Sequence, residues 1–267
     1  MAVFHDQLNR VVSLPAVPKR IISIVPSQTE LLFHLGLDTE VIGVTKFCIH
    51  PEDKFKTRTK VGGTKQLNID QIRVLQPDLI IANKEENERS QVEELMNICP
   101  VWLSDIYDLD SALEMISSIG SLINRETEAN ALCGDIINRF NNLVLPITNL
   151  KVSYFIWRKP YMVAGSDTFI DSMLQQCGLV NAVNKDRYPE VTSQEIIAID
   201  PDLIFLSSEP YPFKQKHLDE FKLMLPNAKV ILVDGEMFSW YGSRLLYALD
   251  YFRTIMQALT FKLMATK

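Results

Sequence analysis

Cationic and aromatic side chains recur in this chain at the points where apolar segments end. Lys46 and Phe47 follow the apolar run 41–44, and Trp157 and Arg158 follow the run 152–156. Arginine can hold a carboxylate or a catecholate through two parallel hydrogen bonds, and aromatic faces can stack on a ring. These residue types predict a surface that binds an anionic, partly aromatic or macrocyclic small molecule. The predicted ligand-binding residues are Lys46, Phe47, Lys65, Lys84, Trp157, Arg158, Tyr188, Trp240, Tyr241 and Arg244.

The sign of the expected ligand charge follows from where the cations lie. The formal net charge of the chain is −6, yet lysine or arginine, Lys159 included, follows several of the predicted strands. A concave site focuses the field of such side chains, so an anion is favoured there although the whole protein repels it. A single lysine is usually just solvated. Tryptophan in a loop is the stronger signal, because large exposed aromatic side chains are uncommon without a use.

Metal-ligating patterns are weak in this sequence. Cys48 and His50 lie two residues apart, but no second pair is spaced to complete a coordination shell with them. The four cysteines are far apart, with no CxxC motif. We therefore expect no intrinsic cofactor and no resident metal, with His50 and Cys48 as the weak candidates for direct metal coordination.

Common catalytic motifs are missing. The ten glycines form neither GxGxxG nor GxxxxGK[ST], and the sequence has no GxSxG elbow and no HExxH. No catalytic pair of carboxylates stands out from the helical surface pattern. These absences favour a binding protein over an enzyme, and the prediction is that the chain is not an enzyme.

The elements that must position the candidate residues follow an internal repeat. Residues 68–82 read NIDQIRVLQPDLIIA, and residues 192–206 read TSQEIIAIDPDLIFL. Each phrase predicts a short amphipathic helix, a stop at Pro77 or Pro201, and then a strand buried on both faces. Upstream, the segments 29–37 and 168–179 each predict a helix that ends at a glycine, Gly36 or Gly178. Downstream, VWLSD and VILVD each predict a strand that closes on an aspartate.

Strand–helix alternation in both halves predicts an α/β fold with two Rossmann-like lobes, parallel sheets and a ligand cleft between the lobes. Residues 108–148 show helical spacing only, which predicts two helices, the second a long one connecting the lobes. The predicted domains are an N-terminal lobe, 1–107, a helical connection, 108–148, and a C-terminal lobe, 149–267.

Composition excludes other classes of protein. An acidic chain without blocks of lysine and arginine is a poor partner for nucleic acid. No apolar run approaches the length that crosses a bilayer, and the first residues lack the pattern of a secretory signal. If Met1 is the native start, we expect a cytoplasmic location.

With these residues in view, the chain resembles the cobalamin and ferric-siderophore class (class III) of periplasmic substrate-binding proteins of ABC importers. The resemblance is most specific near the N-terminus, where the chain matches the family's sequence pattern. The matching residues are Asp6, Asn9–Val12, Pro18–Val25, Pro26–Ser27, Thr29–Leu37 and Val41–Thr45. The helix-PDLI phrase occurs in both lobes, as in the family. The resemblance covers essentially the whole chain.

The resemblance implies a metal chelate as the ligand, namely a ferric siderophore, heme or a cobalamin-like corrinoid. It implies a periplasmic or cell-surface location, little closure on binding, and contact with the membrane only through an ABC permease. Family members dock on the permease through an acidic residue at the start of a helix on each lobe. Asp70 matches the first position; Gln194 stands at the second, with Glu190 and Glu195 nearby. Phe47, Trp157 and Tyr188 match cleft aromatics of cobalamin binders, whereas Thr64 and Asn83 replace tryptophan.

Two other hypotheses remain open at this point. A cytoplasmic protein of the same fold could handle metallocofactors as a chelatase-like enzyme or a chaperone. An unrelated two-domain α/β enzyme would share the strand–helix alternation. Turnover of a chelate or insertion of a metal would favour the first of these two.

Overall fold

The structure, a computed structural model, describes residues 1–145 and 148–264. The described residues divide into two compact units. The first comprises Met1–Ile106, Asp110–Asn138 and Tyr241–Arg244, and the second takes the remaining described residues. Residues 146–147 of the predicted connection and 265–267 of the predicted C-terminal lobe lie outside the described residues.

The first half of the chain builds a five-stranded parallel sheet in the order β5-β4-β3-β6-β7, with a separate hairpin, β1-β2. The strands are β1 (Ala2–His5), β2 (Val11–Leu14), β3 (Ile21–Ser23), β4 (Val41–Val44), β5 (Thr59–Lys60), β6 (Leu79–Asn83) and β7 (Val101–Ser104). The helices are α1 (Pro26–His34), α2 (Glu52–Thr57), α3 (Ile69–Leu75), α4 (Arg89–Leu95), α5 (Leu109–Leu122) and α6 (Glu126–Asn141). All five residues of β6 are buried, as its apolar run without alternation predicts.

The second half builds a mixed sheet in the order β11-β9-β8-β12-β13, with β10 also paired to β8. The strands are β8 (Lys151–Trp157), β9 (Tyr161–Ala164), β10 (Val180–Asn181), β11 (Glu190–Val191), β12 (Leu203–Ser207) and β13 (Lys229–Val233). The helices are α7 (Phe169–Gln176), α8 (Ser193–Ile199), α9 (Gln215–Met224), α10 (Gly235–Ser239) and α11 (Leu245–Met264).

The second sheet contains the predicted parallel strands and, in addition, antiparallel ones that the sequence analysis did not foresee. β9 runs antiparallel to β8, and β11 runs antiparallel to β9. Only three residues, 158–160, separate β8 from β9, and a parallel crossover needs a dozen residues or more. The Trp157–Lys159 segment, interpreted from the sequence as a strand-end loop, is therefore the end of a strand and the turn of a hairpin.

The internal repeat is confirmed in detail. α3 and α8 are each followed by a residue with φ of 47°, Gln76 and Asp200 respectively, and this left-handed residue redirects the chain before the following proline. The aspartate after each proline then binds the neighbouring strand. Asp78 accepts the N–H groups of Lys19 and Arg20, and Asp202 accepts the N–H group of Lys151. Gly36 and Gly178 follow their helices with positive φ, as predicted.

The segment between the two sheets is helical, as its spacing predicts. α5 and α6 cover most of it, and the boundary between the two units falls inside α6, between Asn138 and Arg139. In the described part of the chain, no helix combines the length and the apolar character that crossing a membrane requires.

Candidate functional site

Lys46 and Phe47 lie together at the carboxyl end of β4. The Lys46 ammonium is 5.0 Å from the centre of the Phe47 ring, and the ring is half exposed. The Lys46 N–H group donates to the Gly62 carbonyl, so the loop after β5 holds this corner. Gly62 has φ of +106°, and a Cβ there would lie 2.4 Å from the Gln66 carbonyl oxygen. The tight turn therefore needs glycine at position 62, and the side chains of Lys46 and Phe47 pack beside the next residue, Gly63.

The other predicted lysines of the first unit have partners on the same edge of the sheet. Lys65 donates to the Glu85 carbonyl at 2.8 Å, and among the described residues it forms no salt bridge with a carboxylate. Lys84 contacts the Asp105 carboxylate at 2.6 Å. The Lys84 charge is thus offset by an acid that directly follows β7, and the sequence analysis did not foresee this pair.

Residues Tyr241–Arg244 group with the first unit although the chain on both sides belongs to the second. The Arg244 guanidinium donates to both oxygens of the Glu30 carboxylate on α1, at 3.0 and 2.7 Å. The Tyr241 hydroxyl contacts Glu86 at 3.2 Å. Arg244 was predicted as a cation for the ligand, and the structure pairs it with a carboxylate of its own unit.

Trp157 is the exposed aromatic side chain at the carboxyl end of β8. It is 39% exposed, its indole N–H donates to the Lys159 carbonyl, and its ring meets Tyr211 edge to face at 5.6 Å between centres. Lys159 belongs to the same turn. Tyr211 follows β12 and was missed in the sequence, where the surrounding Pro-Tyr-Pro reads as a plain turn.

Arg158 is held by a carboxylate on α9. Its guanidinium donates twice to one oxygen of Glu220, at 3.0 and 2.7 Å, and the Tyr161 hydroxyl donates to the other oxygen at 2.6 Å. The hydrogen bond to Glu220 raises the pKa of Arg158. Glu220 therefore fixes the β8–β9 turn and reduces the charge that Arg158 can offer to an anion.

Trp240 and Tyr241 correct the expectation of exposed loop aromatics, since each is only 5% exposed. The Trp240 indole N–H donates to the Glu209 carboxylate at 2.8 Å, and Ser239 donates to the same oxygen. Burial raises the pKa of Glu209. Tyr188, the remaining predicted aromatic, is half buried just before β11.

The weak metal candidates do not assemble into a metal site. Cys48 is buried, its sulfur lies 3.1 Å from the hydroxyls of Thr29 and Thr45, and burial raises its pKa to about 11. A protonated thiol is a poor metal ligand. His50 is half buried. Among the described residues, no group of three or more His, Cys, Asp and Glu side chains could hold a metal ion.

The predicted docking acids differ in their surroundings. Asp70 is exposed in the first turn of α3. Glu195 forms a capping box with Thr192 at the start of α8 and contacts Lys185 at 2.8 Å. The hydrogen bond from Lys185, together with those from Thr192, lowers the pKa of Glu195 to about 2. Glu190 is exposed, but it lies in β11 rather than at the start of a helix. Two residues separate it from the first residue of α8.

Comparison with known proteins gives a consistent result. The family described as periplasmic binding protein matches residues 21–224. The vitamin B12-binding protein of Pectobacterium carotovorum is 24% identical over 87% of this chain and 86% of its own length. The ABC transporter substrate-binding lipoprotein YvrC of Bacillus subtilis is 26% identical over 74% of this chain and 67% of its own length.

A solved structure extends the likeness to the fold. The periplasmic heme-binding protein RhuT of Roseiflexus, in its apo form, superposes with a TM-score of 0.78 at 19% identity, over 90% of this chain and 98% of RhuT. The strand-end residues described above therefore stand on a scaffold shared with binding proteins. The match over residues 21–224 shows that this chain belongs to the periplasmic binding protein family.

Proposed function

We propose that this chain is the substrate-binding component of an ABC importer and that its ligand is a metal chelate. The family match over residues 21–224 is the observation that carries the proposal. A relative that aligns with 87% of this chain is named for vitamin B12, and a protein of similar fold is named for heme. These two ligands are large, flat metal macrocycles.

The ligand-contacting surface that we propose lies at the carboxyl ends of the strands, where parallel sheets commonly bind ligands. Phe47 and Trp157 supply exposed aromatic faces, and Lys46, Lys65 and Lys159 supply cations without a carboxylate partner in the described residues. Arg158, Arg244 and Lys84 have internal carboxylate partners. Because these three cations are already paired, aromatic contacts contribute more to ligand affinity in this proposal than the charges of the predicted cations do.

We further propose that the chain docks on its permease through Asp70 and Glu190. Both are exposed, whereas the Glu195 carboxylate is already held by Thr192 and Lys185. Charges on the rim of an interface mainly set the rate of encounter. In this proposal the protein works on the outer face of the membrane and meets the bilayer only through the permease.

The decisive experiment is a titration of the purified chain with heme, cyanocobalamin and ferric enterobactin, followed by visible absorption and tryptophan fluorescence. We expect stoichiometric binding of one class of chelate and recovery of that chelate unchanged. Recovery of a demetallated or newly metallated product would instead support a chelatase-like enzyme. Failure of all three chelates to bind would contradict the proposed ligand class.

A further inference from the structure

The first turn of α1 contains buried polar atoms that the protein itself does not satisfy. Ser27 and Gln28 are 1% and 0% exposed, yet the Ser27 hydroxyl and the Gln28 side-chain oxygen have no hydrogen-bond partner in the described residues. No side chain of the described residues forms a capping hydrogen bond at the start of this helix. The backbone N–H groups of Ser27 and Gln28 also have no acceptor among the described residues. Buried polar groups are nearly always paired in folded proteins, so such a concentration requires an explanation.

A third such group comes from a distant part of the sequence. Ser243 is 2% exposed, and its hydroxyl also has no partner in the described residues. A Cβ on Gly242 would lie 3.6 Å from the Ser27 carbonyl oxygen and 3.4 Å from Leu31, so the backbone of residue 242 lies against the first turn of α1. On the other side of Ser243, Arg244 binds Glu30 on the same helix. Ser243 is thereby held beside the start of α1, within one unit.

The electrostatics of this place favour an anion. Free N–H groups at a helix N-terminus carry partial positive charge and bind oxyanions. The first turn of α1 contains no acidic residue. Each nearby carboxylate has a donor: Glu30 contacts Arg244, Glu86 contacts the Tyr241 hydroxyl, and Asp105 contacts Lys84 through one oxygen, while its buried Oδ1 has no partner among the described residues.

Gln28 can present either end of its amide to such an anion. Its side-chain nitrogen contacts the Ser104 hydroxyl, which also accepts from Asn83. In the present arrangement the Ser104 hydroxyl donates to the Ala82 carbonyl at 3.3 Å. If the Gln28 amide is rotated by 180°, the Ser104 hydroxyl donates to the amide oxygen instead, and the amide nitrogen takes the unpaired position. The site would then offer five donors: two backbone N–H groups, two hydroxyls and one amide nitrogen.

We propose that Ser27, Gln28 and Ser243 form a binding subsite for an oxyanion, a carboxylate or phosphate group carried by the ligand. The inference rests on the proposed function, because it assigns one part of the ligand to one part of the first unit. The site lies at the carboxyl end of β3, on the same edge of the sheet as Lys46 and Phe47. It would orient the chelate through its peripheral acid rather than through its metal.

The test compares ligands with and without their oxyanions. Heme is compared with heme dimethyl ester, in which both carboxylates are esterified, and cyanocobalamin with dicyanocobinamide, which lacks the nucleotide loop together with its phosphate. Inorganic phosphate alone tests for a free anion. We expect the wild-type chain to prefer the oxyanion-bearing member of one pair by about tenfold or more. That preference should vanish in Ser27→Ala and Ser243→Ala.

Ser153→Ala is the matched control. The Ser153 hydroxyl is equally buried and also without a partner in the described residues, but it lies in the middle of β8 rather than at a helix start. Removing an unpaired hydroxyl breaks no internal hydrogen bond, so all three variants should retain the wild-type melting temperature or exceed it. Ser153→Ala should keep the full ligand preference.

The possible outcomes separate the subsite from the proposed function. If a chelate binds but the Ser27 and Ser243 variants keep the wild-type preference, the subsite is wrong and the function stands. If no chelate binds while phosphate raises the melting temperature of wild type but not of Ser27→Ala, the subsite stands and the function fails. If none of the five probes binds, both proposals are overturned.

Discussion

The two units share the alternation of strands and helices but differ in the kinds of side chains that fill their cores. The first unit has an aliphatic cluster around Ile22, Ile72 and Ile80 and buries Trp102 as well, whereas a cluster in the second unit contains Phe155, Phe213 and Phe221. The second core continues outward, because Tyr211 meets both Phe213 and the exposed Trp157. In the second unit, then, the packing of the core and the surface proposed to meet the ligand form one connected aromatic cluster. In the first unit the exposed Phe47 instead rests against a cation and a glycine turn.

The largest effect that we expect comes from opening this aromatic cluster. Phe221 is fully buried, with ring centres 4.6 Å from Phe155 and 5.4 Å from Tyr161. Phe221→Ala should lower the free energy of unfolding by about 3–5 kcal/mol, because it leaves a cavity among aromatic side chains. It should also shift the tryptophan emission, since Tyr211 and Trp157 lose support. Ile72→Ala in the first unit is the control, which should destabilise the protein without shifting that emission.

A second comparison uses the two arginine–glutamate pairs. The side chains of Arg244 and Glu30 are 11% and 15% exposed, whereas those of Arg158 and Glu220 are 26% and 31% exposed. Removal of one partner costs more when the other is left in a buried place. We expect Arg244→Ala to cost about 3 kcal/mol of unfolding free energy, and Arg158→Ala about 1 kcal/mol. Equal losses in denaturant titrations would show that the difference in burial does not matter.

These pairs also mark what the sequence could and could not predict. The internal repeat, the helix stops at proline and the helix ends at glycine depend on residues that are neighbours in the chain, so the sequence alone could predict them. Partners such as Glu30 and Arg244 lie 214 positions apart, and in sequence Glu30 is only another acidic residue on a helix. The same reasoning explains why Trp240 was expected at the surface, since its acceptor Glu209 is 31 positions away. Lys84 and Trp157 do lie at the ends of strands, as expected, whereas Trp240 and Arg244 follow a short helix, and the partners of all four could be found only from the fold.

Ligand affinity offers a third test of the comparison. Trp157→Ala and Phe47→Ala each remove one exposed aromatic face, one in each unit. We expect each to weaken binding of the preferred chelate by about 1–3 kcal/mol, with little dependence on salt. The Trp157 change should be the larger, because the indole is bigger and is supported by Tyr211. Val74→Ala, on an exposed helical face of the first unit, is the control and should leave affinity unchanged.

The smallest expected effect distinguishes the starts of α3 and α8, which occupy matching places in the repeat. At α3, Asn68 accepts the Gln71 N–H group, and at α8, Thr192 accepts the Glu195 N–H group. The uncharged Gln71 thus corresponds to Glu195, whose pKa is lowered from 4.5 to about 2, first by the hydrogen bond from Lys185. Because the carboxyl binds its proton less readily in the folded state, its contribution to stability is full above about pH 4.5 and is lost as the pH falls towards 2.

Glu195→Gln makes the second start resemble the first and should flatten the melting temperature between pH 2 and 4.5 relative to wild type. Lys185→Met should remove the larger part of the same slope, because the Lys185 hydrogen bond is the leading cause of the lowered pKa. Arg73→Met, which alters an exposed pair on α3, is the control and should leave the difference between wild type and Glu195→Gln intact. If Glu195→Gln melts with the same acid slope as wild type, the capping box does not hold a charged carboxylate, and the two helix starts are equivalent in charge as well as in geometry.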